Sequence, residues 1–282
     1  MKQSLKHFIR LVNFEFERMY KFLFAVMGIL IAANLAGYIL LPLEYMNNAR
    51  EIMRIDSLTT AQFIENNDPF SMYPVSISLW VLGPIALGII GFIFYSVFIW
   101  YREWFGKNTF IYRLLMIPVS RMQIFFAKFL MIVIGVFSLL ALQLLSLWIG
   151  EIIVSNIVLG EFYTSYNLPQ ILQLNYIFQI IFPSIGEVFL GSYIIGFVAV
   201  LVLFTVILFE RSFRIKGLVM GIGYAIACLF FVLSPNLIPT VFKNYHILFD
   251  SELILLIFGF SLIVGMISIL LSRYLLKHKI TV

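Results

Sequence analysis

The patterns that could indicate catalysis, metal binding or nucleotide binding in this sequence are paired histidines, activated serines and a glycine-rich loop with a lysine. The three histidines, His7, His246 and His278, lie in three separate segments, so they do not form the paired ligands of a helix-borne zinc site. Gly106-Lys107 lacks the upstream glycine and the following Ser or Thr of a phosphate-binding P-loop. Serines within the apolar stretches have no neighbouring base to activate them. We therefore expect no catalytic, cofactor-binding or metal-binding residue in this chain.

The composition places the chain among α-helical membrane proteins. Its 282 residues are 62% apolar and only 12% charged, whereas soluble domains are about 45–50% apolar and about 25% charged. Too few polar side chains remain to cover the surface of a soluble globule. A single cysteine, Cys228, excludes a disulfide within the chain. We predict an all-α polytopic membrane protein that forms one transmembrane domain over residues 1–282.

Six apolar stretches are long enough to cross about 30 Å of hydrocarbon at 1.5 Å per residue, and none contains Asp, Glu, Lys, Arg or His. These predicted spans are Phe22–Leu43, Val75–Trp100, Phe129–Gly150, Val188–Phe209, Gly217–Leu233 and Leu253–Leu271. All but three of the 19 Lys and Arg residues fall on one side of the spans, the exceptions being Arg50, Arg54 and Lys243. By the positive-inside rule that side, with both termini, is cytoplasmic, which predicts a multi-pass protein of the cell membrane. The net charge of +5 follows this partition and does not indicate nucleic acid.

The connections on the opposite side are polar or amphipathic. The first is acidic and can carry a short helix, and the second contains apolar pieces too short to span. We expect these pieces to lie on the outer leaflet with Tyr163, Tyr166 and Tyr176 as anchors, with an extra membrane hairpin as the alternative. The three connections predicted to be extracellular are 44–74, 151–187 and 234–252.

Residues 1–21 have the pattern of a helix that lies in the membrane interface. Basic and polar residues follow one face at helical spacing, and apolar residues follow another. The alternative is a simple basic flank of the first span. The apolar stripe consists of Leu5, Phe8, Ile9, Val12, Phe16, Met19 and Tyr20.

The cytoplasmic connection 102–128 is too long for a simple turn. Residues Asn108–Met116 predict a short amphipathic helix, which Pro118 ends because the residue before a proline disfavours the helical region. Ser120 and Gln123 form a predicted capping box for the third span. A short helix with apolar and charged side chains suits a cytoplasmic protein partner. Packing of this helix on the lipid interface is the alternative.

This connection resembles the signature of ABC-2 type permeases, the membrane-spanning subunits of ABC exporters. The resemblance is carried by Glu103, Gly106, Lys107, Thr109, Leu114-Leu115, Pro118-Val119-Ser120-Arg121 and Lys128, and the six-span layout extends it over the chain. It implies that residues 1–21 are the elbow helix and that the connection holds a coupling helix, which contacts a separate ABC ATPase subunit carrying ATP and magnesium. It also implies a second permease chain, with the first and fifth spans near the dimer interface. The implied contacts with the ATPase are Glu103, Lys107, Asn108, Thr109, Phe110, Arg113, Leu114, Leu115 and Arg121.

Small residues in the first and fifth spans fit close helix packing. Ala33 and Gly37 lie four residues apart in the first span, and Gly217 and Gly221 do so in the fifth. Such spacing lets helix backbones approach closely. The partner helix belongs either to a second copy of the chain or to the same chain, and the sequence leaves both open.

The expected function is that of a permease subunit of an ATP-driven exporter. Because the spans carry no charge, an apolar or amphipathic cargo such as a peptide, an antibiotic or a lipid-like compound is the natural expectation. Glu187, at the outer mouth of the fourth span, either caps the helix or meets a cationic substrate. The alternative function is a non-transporting membrane scaffold or sensor that binds a cytoplasmic regulatory partner.

Overall fold

The computed structural model describes residues 2–104, 120–158, 160–184, 186–237 and 249–280, and these are folded mainly as α-helices. The helices in chain order are α1 (Lys2–Ile55), α2 (Thr60–Asn66), α3 (Met72–Ser76), α4 (Leu79–Trp104), α5 (Arg121–Ile157), α6 (Leu168–Leu174), α7 (Tyr176–Ile181), α8 (Gly186–Leu233) and α9 (Asp250–His278), with 3-10 turns at Gly160–Phe162 and Ser234–Asn236. The prediction of an all-helical chain is confirmed for the described residues.

Five helical stretches are long and apolar enough to cross a membrane, as judged by length and composition. This is the pattern of a multi-pass membrane protein. The stretches are Leu5–Ile55, Met72–Trp104, Arg121–Ile157, Val188–Asn236 and Glu252–His278. The count is five rather than the six expected, because the fourth and fifth predicted spans lie together in α8.

Helix α8 reverses direction at Arg214. This residue has φ 55° and ψ −130°, so the helical geometry stops there and starts again. After it, Gly217 lies against the carbonyl oxygen of Phe209, and a Cβ atom at Gly221 would lie 3.0 Å from Cγ1 of Val206. Residues 15 positions apart would be about 22 Å apart along a straight helix. The two parts of α8 therefore pack side by side.

Helix α1 continues without a break from the residues predicted as the elbow helix into the first predicted span, and the elbow role itself stays a prediction. The helix runs from Lys2 to Ile55 and has 54 residues. The apolar stripe of its first turns is also divided between two environments. Leu11 and Met19 are buried against protein, whereas Leu5 and Ile9 are exposed. The basic part of α1 is thus a helical extension of the first predicted span, with one side packed on other helices.

The chain divides into two compact units by the contacts between its residues, and the single transmembrane domain expected over 1–282 stays a prediction. The first unit contains the described residues within 1–19, 92–134 and 185–282, and the second contains 20–91 and 135–184. The first unit has an aromatic core in which the rings of Trp100, Phe125 and Phe204 lie 5.5–6.2 Å apart.

The second unit has its core where two extracellular connections were expected. Phe63, Phe162, Ile171 and Phe178 are buried there together. Short helices are present in both connections, as predicted for the first and for the pieces of the second. The pieces of the second connection, α6 and α7, pack on this core through Ile171 and Phe178, and Tyr176 is exposed. Burial of one apolar face thus fixes these short helices on the protein.

Candidate functional site

A buried cluster of ion pairs joins α1, the end of α4 and the start of α5 in the first unit. It consists of Glu15, Arg18, Arg102, Glu103 and Lys128. The side chains of Glu103 and Lys128 are fully buried, and that of Glu15 is 2% exposed. Charges so far from water persist only when they are paired and hydrogen-bonded. We call this group the ion cluster.

Lys128 is at the centre of the ion cluster. Its Nζ donates to Oε1 of Glu15 at 2.7 Å and to Oε1 of Glu103 at 2.6 Å. A third bond goes to the carbonyl oxygen of Ile99 at 3.1 Å, which uses all three protons of the ammonium group. The same Nζ lies 5.4 Å from the ring centroid of Trp100, a cation–π contact. Every donor of this buried charge is therefore satisfied.

Two arginines complete the ion cluster at its partly exposed rim. Arg18 Nη1 donates to Glu103 Oε1 at 3.3 Å, and Arg102 Nη2 donates to Glu15 Oε2 at 3.0 Å. Their side chains are 26% and 20% exposed, so neither is fully enclosed by protein. With all groups ionised, the ion cluster holds three positive and two negative charges.

Each buried charge of the ion cluster lies on the same helix face as buried apolar residues. Glu15 lies between Leu11 and Met19 at helical spacing, and both neighbours are buried. Glu103 follows Ile99 by four residues, and Lys128 follows Ile124 by four, again behind buried apolar residues. Each charge thus belongs to the packed face of its own helix, where only a partner charge can compensate for the loss of water.

Glu15 is a member of the ion cluster that was not among the residues predicted from the sequence. The prediction for residues 1–21 rests on the basic face and the apolar stripe and does not include this acid. The signal was present, because a carboxylate at helical spacing from Leu11, Val12 and Met19 interrupts an apolar stripe.

The ion cluster lies beside the segment expected to contact an ATPase. We call residues 99–104 the first flank and residues 120–128 the second flank of the segment 105–119. Helix α5 begins directly after Ser120, where a helix was expected to restart. Glu103 and Arg102 belong to the first flank and Lys128 to the second, and both flanks meet Glu15 of α1. The cluster therefore ties the two ends of the segment together.

Arg121 connects the second flank to the end of α9. Its guanidinium donates to the carbonyl oxygens of Leu276 and Ile280, the latter at 2.6 Å. These carbonyls belong to the last turn of the helix and its end, where cations are favourable because the helix dipole is negative there.

Two of the nine predicted ATPase contacts are described, and both make bonds within the chain. Glu103 is buried in the ion cluster, and Arg121 binds the end of α9. Their roles toward a partner stay predictions. The other seven lie outside the described residues: Lys107, Asn108, Thr109, Phe110, Arg113, Leu114 and Leu115.

The glycines expected at a dimer interface pack within the chain. A Cβ atom at Gly37 would lie 2.6 Å from Cβ of Trp80, and Gly217 and Gly221 pack on the preceding part of α8. At these three glycines the close contacts are therefore made within one chain, which is the alternative that the sequence left open. Ala33 is partly buried. Contact with a second copy stays a prediction.

Polar side chains in the second unit are bonded to one another. Asn34 Nδ2 donates to Gln143 Oε1 at 3.0 Å and to Ser146 Oγ at 2.9 Å, which links α1 to α5. Outside the spans, burial raises the pKa of Tyr163, and the neighbouring Glu151 carboxylate raises it further. These contacts are structural, as interhelical hydrogen bonds in membrane proteins commonly are.

Glu187 lies in the first turn of α8, which begins at Gly186. Its side chain is outside the part of the chain that the structure describes. Helix capping and contact with a cationic substrate both stay predictions.

Over the residues that the structure describes, the fold is helical, with several apolar helices of membrane-spanning length and a buried ionic junction formed by the ion cluster. Comparison with protein-family models, curated proteins and solved structures finds no match.

Proposed function

We propose that this chain is the membrane-spanning permease subunit of an ATP-driven ABC-type exporter. It would cross the cell membrane six times with both termini in the cytoplasm, and the two parts of α8 would be two of the six spans. ATP hydrolysis would take place on a separate cytoplasmic subunit, which contacts residues 105–119. A second permease chain would complete the transporter.

The observation that carries the proposal is the bonding of both flanks to one buried junction. Lys128 on the second flank binds Glu103 on the first flank and Glu15 on α1. A force applied by a partner to residues 105–119 would reach these ion pairs at once, because short buried pairs resist separation more than exposed ones. An unsupported loop would bend instead. The junction thus suits a segment that receives mechanical work.

The proposed cargo is apolar or amphipathic. The predicted spans contain no charged residue. Two of their buried polar side chains make hydrogen bonds within the chain: Asn34 Nδ2 donates to Gln143 Oε1, while Asn34 Oδ1 is left without a partner, and Thr205 shares a hydrogen bond of 3.0 Å with Ser272. A charged cargo would need partners that these spans lack. A peptide, an antibiotic or a lipid-like compound fits the spans better.

The second permease chain would meet this one through faces other than the glycine pairs. Gly217 and Gly221 are covered by the first part of α8. On another side of the same helix, Gly223 has open space around it, and Phe230 is 69% exposed. The mass of the solubilised complex measures the number of permease chains directly. Two are expected, and one would remove the dimer from the proposal.

Purification from the native membrane tests the partner. A tagged chain, solubilised gently, should bring down a magnesium-dependent ATPase. Replacing Leu114 and Leu115 together by Ala should release the ATPase, because two apolar contacts are lost. The matched control is Ile52→Ala with Ile55→Ala, which removes two exposed apolar side chains at the C-terminal end of α1. If no ATPase is recovered with the unaltered chain, the proposal is wrong.

Reconstitution separates transport from signalling. Proteoliposomes that contain the purified complex should accumulate a fluorescent amphipathic peptide only when magnesium and ATP are both present. ATP hydrolysis with no movement of apolar or amphipathic probes would favour the alternative, a scaffold or sensor subunit.

A further inference from the structure

The reversal of α8, which we define as residues 210–217, holds a backbone conformation that an L-amino acid rarely adopts. Arg214 has φ 55° and ψ −130°, and its side chain is exposed. Such strained positions persist only where the surrounding structure enforces them, and they occur often where a conformational change takes place. The contacts that enforce this one are therefore informative.

The first flank holds the start of the reversal. The hydroxyl of Tyr101 donates to the carboxylate of Glu210. The guanidinium of Arg211 lies 4.5 Å from the ring centroid of Tyr101 and 5.4 Å from that of Trp104. A cation over two aromatic rings, together with a hydrogen bond to a charged group, makes a specific contact.

The second flank reaches the same reversal through the end of α9. Arg121 binds the carbonyl oxygens of Leu276 and Ile280. Between these residues, Lys279 places its Nζ 5.6 Å from the ring centroid of Phe213, next to Arg214. The first flank therefore contacts the reversal directly. The second flank is connected to it through the residues at the end of α9.

The parts of α8 before and after the reversal are both hydrogen-bonded to α9. Past the reversal, Tyr224 shares a hydrogen bond of 2.7 Å with Ser268 of α9. Before it, Thr205 shares one of 3.0 Å with Ser272. A change of angle at the reversal would have to move these contacts between α8 and α9.

We propose that the reversal is a hinge driven by both flanks, with Tyr101 and Arg121 as its positioning residues. The inference rests on the proposed function, because the driving force would come from an ATPase acting on residues 105–119. Displacement of the flanks would change the backbone angles at Arg214 and so the packing of the two parts of α8. A strained residue suits this role. Strain raises the free energy of the observed conformation, so the difference to a second conformation is smaller than it would be for a relaxed residue.

Hydrogen–deuterium exchange on the complex purified with its ATPase tests the hinge. Adding magnesium and a non-hydrolysable ATP analogue should change the exchange rate of amides 210–217 in the unaltered chain. Tyr101→Phe and Arg121→Gln should each reduce this response about fivefold or more, the lower end of measured allosteric couplings. For Tyr101→Phe, which lies outside the implied ATPase contacts, ATP hydrolysis and recovery of the ATPase should persist, while transport falls; the response of Arg121→Gln is compared only in complexes that retain the ATPase. A merely structural role would not separate hydrolysis from the response of the reversal.

Two control variants test whether loss of a Tyr hydroxyl or an Arg side chain elsewhere has the same effect on the nucleotide response. Tyr274→Phe and Arg273→Gln remove the same groups from exposed side chains of α9, and both should keep the full nucleotide response. If Tyr101→Phe and Arg121→Gln also keep it, the hinge proposal is wrong.

The chain without an ATPase gives a second, independent measurement. If the unaltered chain recovers no ATPase, the proposed function is wrong. The contact between the first flank and the reversal is then tested by hydrogen–deuterium exchange on the chain alone in lipid nanodiscs. Tyr101→Phe should then speed exchange of amides 210–217 about tenfold, as expected for loss of a hydrogen bond to a charged group. Exchange equal to that of Tyr274→Phe would overturn the link between the first flank and the reversal.

Discussion

Replacing Glu103 by Gln should cost more stability than replacing Lys128 by Met, although Lys128 makes more hydrogen bonds. The ion cluster holds three positive and two negative charges. Glu103→Gln leaves Lys128, Arg18 and Arg102 with the single carboxylate of Glu15. Lys128→Met leaves two carboxylates and two arginines, and each carboxylate keeps its arginine at 3.0 or 3.3 Å. Charge balance therefore predicts the order of the two losses.

The size of the first loss follows from burial. Removing one partner of a buried ion pair costs about 3–5 kcal/mol, because the charge that remains is uncompensated. Arg18 is 26% exposed and can turn toward water, whereas Lys128 has no exposed surface. We therefore expect the lower end, about 3 kcal/mol, for Glu103→Gln. At about 2–4 °C per kcal/mol, the unfolding midpoint should fall by roughly 6–12 °C.

Thermal unfolding in lipid nanodiscs, followed by intrinsic tryptophan fluorescence, measures both variants. Trp100, one of the four tryptophans that contribute to the signal, lies beside Lys128. Lys6→Met, at an exposed position of α1, is the control for loss of a lysine and should leave the midpoint unchanged. The double variant of Glu103→Gln with Lys128→Met restores the original net charge of the cluster. It should recover part of the loss, which a double-mutant cycle quantifies.

The reasoning fails if Lys128→Met costs as much as Glu103→Gln, or more. The hydrogen bonds of the ammonium group would then outweigh charge balance. Equal midpoints for the unaltered chain and both variants would mean that the ion cluster contributes nothing to stability.

Three further predictions concern single positions, and unfolding midpoints in nanodiscs measure all of them. Arg214→Gly should raise the midpoint by the equivalent of about 1 kcal/mol, since glycine adopts positive φ without strain; a fall would show that the side chain itself is required. Gly217→Ala should lower it strongly, because the new Cβ would overlap a backbone oxygen, whereas Gly223→Ala, with open space around it, should not; similar effects at both sites would argue against the reversal. A double-mutant cycle of Asn34→Leu and Gln143→Leu should give a coupling of about 0.6–2 kcal/mol for an interhelical hydrogen bond, and strict additivity would exclude the bond.

The long helices were readable from the sequence because their signal is local. Runs of apolar residues without charge mark the spans, and the positions of Lys and Arg predict which ends lie together. The continuity of α1 was also readable. No Gly or Pro occurs between residues 2 and 27, so nothing in the sequence ends a helix between the basic stretch and the first span.

The partners of the buried charges were not readable in this way. Glu15 and Lys128 are 113 residues apart, and they meet only because three helices cross at one place. Similarly, the spacing of Gly217 and Gly221 predicts a close helix contact, but not which helix makes it. The reversal at Arg214 brings the first part of α8 back onto them.

The sequence by itself determined the class of protein, since the transfer of apolar residues out of water depends on composition and on the length of each run. The tertiary structure alone decided which charges pair and which glycines are covered. Pairing depends on distances between helices that are far apart in the chain, and a few ångströms separate a satisfied buried charge from one that the fold could not tolerate.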